Sequence, residues 1–401
     1  MSNSLKFIDM VAREAQSIAH EKCTFIGTTD LQYDDSFGKT GAKIGSTLRV
    51  RKPNEYTRRT GSRVMDVQDQ DEKTQNITIA TQDGVDMRFN SAELTLDTDS
   101  PSDVAAFSKR YIEPAVSVLV SGIESDYLAF ATKATYNVAG TAGTAITSLV
   151  TPGAARAKLN QMLAPKDNRY IQMDSVTMGG LVNGVAAYFN PSNAISEQYR
   201  EGLIARTAMA DYFENERVFT QAIGSDVTGV TLDTFTLADG GSAITVTGGA
   251  ATVVGQVFTM AGVYDVHPET KAAYPHLKQF VLTSTSATAW TFSPAIQTTG
   301  ATKNASALPT TTAAIVFVGA ASASYVQPLM YHKEAFQFVT ADLPLMDDAH
   351  KCTRRVKDGL SLRVWMASDI RNDELLMRLD ILYGMAALRP GWACRMIGAA
   401  N

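Results

Sequence analysis

Between residues 226 and 322 the chain changes chemistry: these 97 residues hold 19 Thr and 17 Ala, only eight charged side chains and no Arg. β-Branched Thr beside Val, Ile and Phe suits a pleated, half-buried surface. Turn residues separate short apolar runs at 243–247, 256–260, 279–283 and 314–318. A small antiparallel barrel or sandwich is therefore predicted over 225–323. Helical and strand periodicities mix on both sides of it, as expected of a β-module set into a host domain whose two connections lie close together. At 401 residues the chain exceeds one ordinary core, and two or three folded units are expected.

The segments ahead of the module carry stronger patterns. Phe7, Ile8, Val11, Ala15, Ile18 and Ala19 recur at helical spacing and predict an amphipathic helix over 5–22, followed by an extended arm over 27–45. From 43 to 97 the alternation is that of strands, read as one long hairpin whose two arms differ in charge. Residues 43–63 hold seven bases (Lys43, Arg49, Arg51, Lys52, Arg58, Arg59, Arg63) against Glu55, and 66–86 hold six acids (Asp66, Asp69, Asp71, Glu72, Asp83, Asp86) against Lys73. Opposed charges on neighbouring strands can stabilise one another within the hairpin. A projecting hairpin can equally present them to neighbouring copies, and the residues leave both readings open. The charged positions nominated for contact between copies are Arg49, Arg51, Arg58, Arg59, Arg63, Asp66, Asp69, Asp71 and Glu72.

Ser100-Pro101-Ser102-Asp103 is a helix start, with a Ser cap, Pro in the first position and Asp beside the unsatisfied amides. Val104, Phe107, Tyr111, Val118, Leu119, Ile123, Tyr127 and Phe130 predict a single buried stripe on a helix running to about Ala134. Pro114 cannot donate to the Arg110 carbonyl, so a bend or break is expected there. Further helices are expected near 152–163 and 194–201, a strand at 169–173, and return strands at 325–331, 336–340, 360–366 and 374–385, with Leu375, Met377, Leu379, Ile381 and Tyr383 on one face of the last.

Chemistry-bearing motifs are sparse. Gly38-Lys39-Thr40 resembles the end of a phosphate-binding loop, but Tyr33 stands where that motif needs Gly. Five scattered histidines suggest neither triad nor metal cluster, and His332 reads as a packed strand residue. Cys23, Cys352 and Cys394 are odd in number and far apart, as expected of reduced thiols. A near-zero mean hydropathy and a formal charge of −5 argue against a membrane-embedded chain and against a broadly basic nucleic-acid surface. The charged residues among 1–22 break any signal-peptide core, so the chain is expected to stay in the cytoplasm where it is made. No catalytic residue, cofactor or metal ligand is nominated.

The order of elements, with Tyr188-Phe189-Asn190-Pro191, Gln198-Tyr199-Arg200-Glu201-Gly202, Tyr331-His332-Lys333-Glu334-Ala335-Phe336 and Leu382-Tyr383-Gly384-Met385-Ala386-Ala387-Leu388-Arg389-Pro390, resembles the HK97-fold major capsid proteins of tailed bacteriophages, in the branch similar to the P22 coat protein. The resemblance implies an α+β capsid fold. Its expected divisions are an N-terminal arm (1–41), an extended loop (42–97), a spine helix of the peripheral domain (98–136), the first part of the axial and peripheral core (137–224), an inserted barrel-like β domain (225–323) and return strands (324–401). It also implies a non-enzymatic shell subunit forming pentamers and hexamers in the virion, with a scaffolding protein and a portal as partners and weak, non-specific contact with packaged double-stranded DNA. The alternative is a tail or surface adhesion protein that recognises its target through the inserted β domain.

Overall fold

The computed structural model describes residues 12, 13, 15, 17, 23–33, 47–59, 61, 63–65, 67, 73–90, 108–185, 210–233, 237–346, 351–357 and 360–400. The sequence expectations over 100–107 and 194–201, and for Lys39 and Thr40, lie outside these residues. The chain divides into two compact units, residues 1–50, 75–127 and 336–386 in one and 51–74, 128–335 and 387–401 in the other. Strands are numbered in chain order.

The first unit is built on one six-stranded sheet. β1 (Asp30–Tyr33) runs parallel to β17 (Phe336–Ala341), which is followed by β20 (Glu374–Ala387), β19 (Leu360–Asp369) and β18 (Lys351–Lys357). β4 (Thr81–Asn90) pairs antiparallel with β20, from Asn90 opposite Glu374 to Thr81 opposite Tyr383. Met377, Leu379, Ile381 and Tyr383 are buried on the expected face of β20. The expectation of one hairpin from 43 to 97 is corrected here. Only β2 (Thr47–Arg51) and β3 (Thr74–Thr78) pair with each other, whereas β4 belongs to the sheet, because alternating Val85, Met87 and Phe89 find partners on β20.

A π-helical turn at Ser108–Ile112 precedes the long helix α1 (Glu113–Ala134), in which Pro114 is the second residue. Pro is tolerated in a first turn, where its missing amide is not needed. The irregularity expected at Pro114 is thus a change of helix type just ahead of it. A π turn holds more residues than an α turn, so a constant 3.6-residue stripe cannot continue through it. The buried line becomes Ile112, Val116, Leu119, Ile123 and Tyr127, and Val118, expected in the stripe, is 67% exposed. Glu124 on α1 is fully buried and accepts hydrogen bonds from Thr24 N, Thr24 Oγ1 and Phe25 N, satisfying free amides of the single helical turn Phe25–Thr28. Rings of Phe25 and Tyr127 (4.7 Å), Tyr127 and Phe338 (5.3 Å) and Phe338 and Tyr383 (5.3 Å) form the aromatic part of this core.

The second unit contains a five-stranded sheet in the order β5 (Val138–Ala139), β21 (Ala393–Met396), β16 (Leu329–His332), β6 (Arg169–Met173) and β7 (Asp211–Glu214). Helix α2 (Val150–Gln161) places Ala155 and Leu159 in one core with Ile171, Met173, Met330, Cys394 and Met396. Helix α3 (Ser175–Val185), which the sequence reading did not anticipate, adds Met178 and Leu181.

The Thr-rich segment is a six-stranded antiparallel barrel. Its strands β9 (Thr231–Leu232), β10 (Ala243–Thr247), β11 (Val257–Val266), β12 (Ala273–Thr285), β13 (Ala289–Ser293) and β14 (Ile315–Phe317) pair in the order β14-β11-β12-β13-β10-β9. Closure follows from Leu232 N donating to Ala313 O and Ile315 N to Val230 O, both at 3.0 Å. A short ladder of β8 (Thr220–Ala222) with β15 (Ser324–Val326) forms its stem. Phe258 lies at the centre, its ring centroid within 6.2 Å of those of Phe280, Trp290, Phe292 and Phe317. Gly249 sits at φ +79°, where a Cβ would meet the Trp290 ring at 2.3 Å.

Three polar contacts seat the barrel on the five-stranded sheet. The Gln279 carboxamide accepts from Val138 N (2.9 Å) and donates to Val138 O (3.1 Å), imitating a further strand at the β5 edge. Lys278 Nζ lies 2.9 Å from Asp265 Oδ1, both nearly fully buried, and 5.9 Å from the Tyr136 ring centroid. Arg395, with no exposed surface, donates from Nε to Thr135 O (2.7 Å) and from Nη1 to Gly255 O (2.8 Å) and Gln327 Oε1 (3.0 Å), while Nη2 also reaches Thr135 O. Burial holds its pKa down to about 9, so it remains cationic at neutral pH.

Two outcomes are expected. Arg395→Leu should destabilise the second unit by about 3 kcal/mol or more, since it leaves buried carbonyls without donors; an unchanged denaturant midpoint would contradict this role. Residues 225–323 expressed alone should give dispersed amide NMR signals and melt cooperatively, because their strands close on one another. A non-cooperative melt would show that the barrel depends on Tyr136, Val138 and Ile397, which share its core.

Candidate inter-subunit surface

The β2/β3 ladder ends where Lys52 N donates to Lys73 O at 2.8 Å, and the described residues from 53 to 67 are almost all exposed. Strand alternation puts Arg49 and Arg51 on the exposed side of β2, and Arg58, Arg59 and Arg63 are exposed on the following segment. Arg59 Nη1 donates to Val64 O and closes a bend. Around these cations Tyr56 (55%), Val64 (76%), Met65 (80%) and Val67 (79%) are exposed. A lone exposed apolar residue is ordinary, but four within twelve positions, among bases, form a surface suited to another protein. The segment's root is held by Glu55, whose Oε2 lies 3.9 Å from Lys271 Nζ at the β11–β12 turn.

Of the nominated acids, Asp66, Asp69, Asp71 and Glu72 lie outside the described residues. Asp83 and Asp86 do not face the basic arm. Asp86 is bound by both Arg378 Nε (2.7 Å) and Nη2 (3.0 Å), and the Arg378 hydrogen bond lowers its pKa. Asp83 Oδ2 accepts from the Tyr383 hydroxyl at 2.6 Å. For these two acids, pairing within the hairpin is therefore replaced by pairing with β20.

Sequence reasoning missed that the charges of Arg389 and Lys73 bear on Lys52. Arg389 Cζ stacks 4.0 Å from the Trp392 ring centroid, and its Nη1 is 3.8 Å from Glu334 Oε2. The Lys52 pKa is lowered, first by burial and then by the charges of Arg389 and Lys73. No signal short of the fold could have joined Arg389 to residues more than 300 positions earlier. The apolar run Val64-Met65 with Val67, by contrast, stood in plain view between Arg63 and the acids.

Other places offer little chemistry. A groove of about 270 Å³ on the first unit's sheet is lined by Met87, Trp365, Ala367, Leu376 and Met377 and by the mutually paired Asp86 and Arg378. His332 is buried, accepts from Glu334 N at Nδ1 (3.3 Å) and meets Trp392 edge-on at 5.3 Å. His276 stacks on Tyr274 at 5.3 Å with Nε2 3.7 Å from Asp265. Among the described residues no three His, Cys, Asp or Glu side chains cluster as metal ligands, and no helix is long and apolar enough to cross a membrane.

The architecture is a mixed sheet with a long helix, together with a second sheet bearing a β-barrel. The chain belongs to the P22 coat protein family: the model of the family described as "P22 coat protein - gene protein 5" matches residues 107–398. It is a major capsid protein that forms the shell of a bacteriophage. No curated protein sequence matches it. Among solved structures it is similar to the capsid of Ralstonia phage GP4 (7% identity, 94% of this chain and 88% of that one, TM-score 0.49). It is also similar to the mature capsid of bacteriophage PhiM1 (12%, 93% and 86%, 0.44) and to a chain of Mycobacterium phage Che8 (10%, 88% and 85%, 0.45).

Buried His332 and partly buried His276 are expected to make the subunit acid-sensitive. Burial is the leading cause of the lowered pKa values of His276 and His332, which therefore favour the neutral ring. Their folded-state values lie below the ordinary value of about 6.5, so unfolding takes up protons below that pH. This stabilisation is complete above about pH 6.5 and declines as pH falls toward the folded-state values. His276→Gln/His332→Gln should flatten the dependence of subunit melting temperature on pH between about 5 and 7; an unaltered slope would assign it to other groups.

Proposed function

We propose that the chain assembles as pentamers and hexamers of a closed icosahedral shell around double-stranded DNA, made in the host bacterial cytoplasm with a scaffolding protein and a portal as partners, and that it performs no enzymatic step. The observation that carries this reading is the exposure of Tyr56, Arg58, Arg59, Arg63, Val64, Met65 and Val67, an apolar and cationic surface that a neighbouring copy would cover in a lattice of identical subunits. A formal net charge of −5 suits weak contact with packaged DNA. The barrel acts as a brace, its seat made by Arg395, Gln279 and the Asp265–Lys278 pair.

Sedimentation and negative-stain imaging of the purified protein test the reading directly, with shells or capsomer rings expected and a stable monomer contradicting it. Arg58→Glu/Arg59→Glu should leave subunit melting within about 0.5 kcal/mol of wild type, as for exposed positions, while reducing shell yield. Because the contact is electrostatic and exposed, wild-type shells should weaken as salt rises. Normal shells of normal salt resistance from the variant would remove these arginines from the interface.

A further inference from the structure

We propose that the hairpin tip carrying Ile370 of one copy of this chain seats in the groove beside Trp365 on a second copy, and that the two copies make this contact reciprocally. The inference rests on the shell reading above, in which second copies are the neighbours always at hand, and adds to it one contact with named residues. β19 and β20 are joined by the turn 370–373, in which Ile370 is 96% exposed. Asp369 fixes this turn: its Oδ1 accepts from Arg371 N at 2.9 Å and its Oδ2 from Asn372 Nδ2 at 2.8 Å. Asp373 takes a left-handed φ of +55° to return the chain. A loose tip could fold its apolar side chain back onto the sheet, whereas this one holds it in water.

The receiving surface lies on the same unit, a few residues back along the same two strands. The register sets Asp86, Arg378 and Trp365 in one row across β4, β20 and β19, with Leu376 opposite Ala367 in another. Side chains two apart on a strand share a face, so Trp365, Ala367, Leu376 and Arg378 stand together on one side of the sheet, and Leu376 is 43% exposed there. The groove they line holds about 270 Å³. That is below the roughly 300–1,000 Å³ of small-molecule pockets and suits one branched aliphatic side chain. Charges at the rims match as well: Arg371 and Asp373 follow Ile370 at the tip, and Asp86 and Arg378 wall the groove. Each sign on one copy meets its opposite on the other, which orients the approach more than it strengthens it. Because tip and groove belong to one patch, a two-fold axis between two copies lets each tip enter the other's groove, with the same residues used on both sides. An isolated exposed isoleucine is ordinary; the apolar hollow beside this one sets it apart.

Substitutions at tip and groove test the contact. Ile370→Asp and Ala367→Arg should each reduce shell yield about tenfold or more, measured by sedimentation and light scattering, since full burial of an isoleucine is worth at least that factor in an association constant. Subunit melting should stay near wild type. Ile370→Asp/Ala367→Arg in one chain should recover most of the yield, because every contact then sets a carboxylate against a guanidinium. Normal shells from Ile370→Asp would overturn the proposal, as would failure of the double variant after failure of both single ones. Normal shells from Ala367→Arg with failure of Ile370→Asp would put the tip on another surface and overturn the groove. Should Ala367→Arg fail to fold, crosslinking decides: shells assembled from equal amounts of Ile370→Cys and Leu376→Cys subunits, oxidised and run without reductant, should give dimers well above those of either variant alone. As much dimer from Ile370→Cys alone would show tips meeting one another, and no dimer from the mixture would show no contact; either result overturns the proposal. Wild-type shells are the reference throughout, so their absence counts against the shell reading, whereas failure to crosslink within formed shells counts against the groove.

Discussion

The end of the long helix is held by a buried cation. The last turn's carbonyls carry the negative end of the helix dipole, and the Arg395 guanidinium meets the Thr135 carbonyl there with two of its nitrogens. Its remaining nitrogen reaches Gly255 at the barrel and Gln327 beside the stem. One side chain thus satisfies groups from the helix end, the barrel and the loop before β16. No single carboxylate could do so, since only a planar donor fork can serve several carbonyls at once. Taking a cation out of water is costly, and that cost is offset only when these partners are all in place. The guanidinium therefore fixes how the barrel is seated, with Gln279 and the Asp265–Lys278 pair completing the seam.

A rigid seat matters because the exposed segment that follows β2 belongs to the same unit. Glu55 meets Lys271 at the barrel's β11–β12 turn, and Lys52 N donates to the Lys73 carbonyl at the segment's base. Tyr56, Val64, Met65 and Val67 are not covered within the described residues and are available to a neighbour. Stability of the single chain and completeness of its surface are then separate properties. The first comes from aromatic cores and satisfied polar groups. The second is, on the proposed function, supplied by other copies.

Much of the framework was legible because local pattern and tertiary burial agree. The strand Arg169–Met173 and the barrel strand Ala243–Thr247 have the boundaries read from alternation, and α1 ends at Ala134 as its periodicity indicates. Disagreement arose where a long-range partner overrides the local signal. β4 follows β3 closely, yet its apolar alternation is matched by β20, nearly three hundred residues away. Helix α3 contains Gly179, Gly180 and Gly184, poor helix formers that hid it; a Cβ on Gly184 would stand 1.6 Å from Thr147 O, so glycine is required by close packing. Of the candidate surface, the arginines are exposed as nominated, and the exposed apolar residues were visible but unread. The influence of Arg389 on Lys52 was invisible, since nothing local links the two.

The central claim is that the segment over residues 52–67 is an incomplete surface in the single chain and is covered in the shell. Hydrogen–deuterium exchange of free subunits and purified shells, followed peptide by peptide, measures this directly. The account expects these amides to exchange rapidly in the subunit and to gain at least tenfold protection on assembly, while the buried strands β11 and β12 remain protected in both. Equal, rapid exchange of 52–67 in subunits and shells would contradict it, because the segment would then face solvent in the assembled particle.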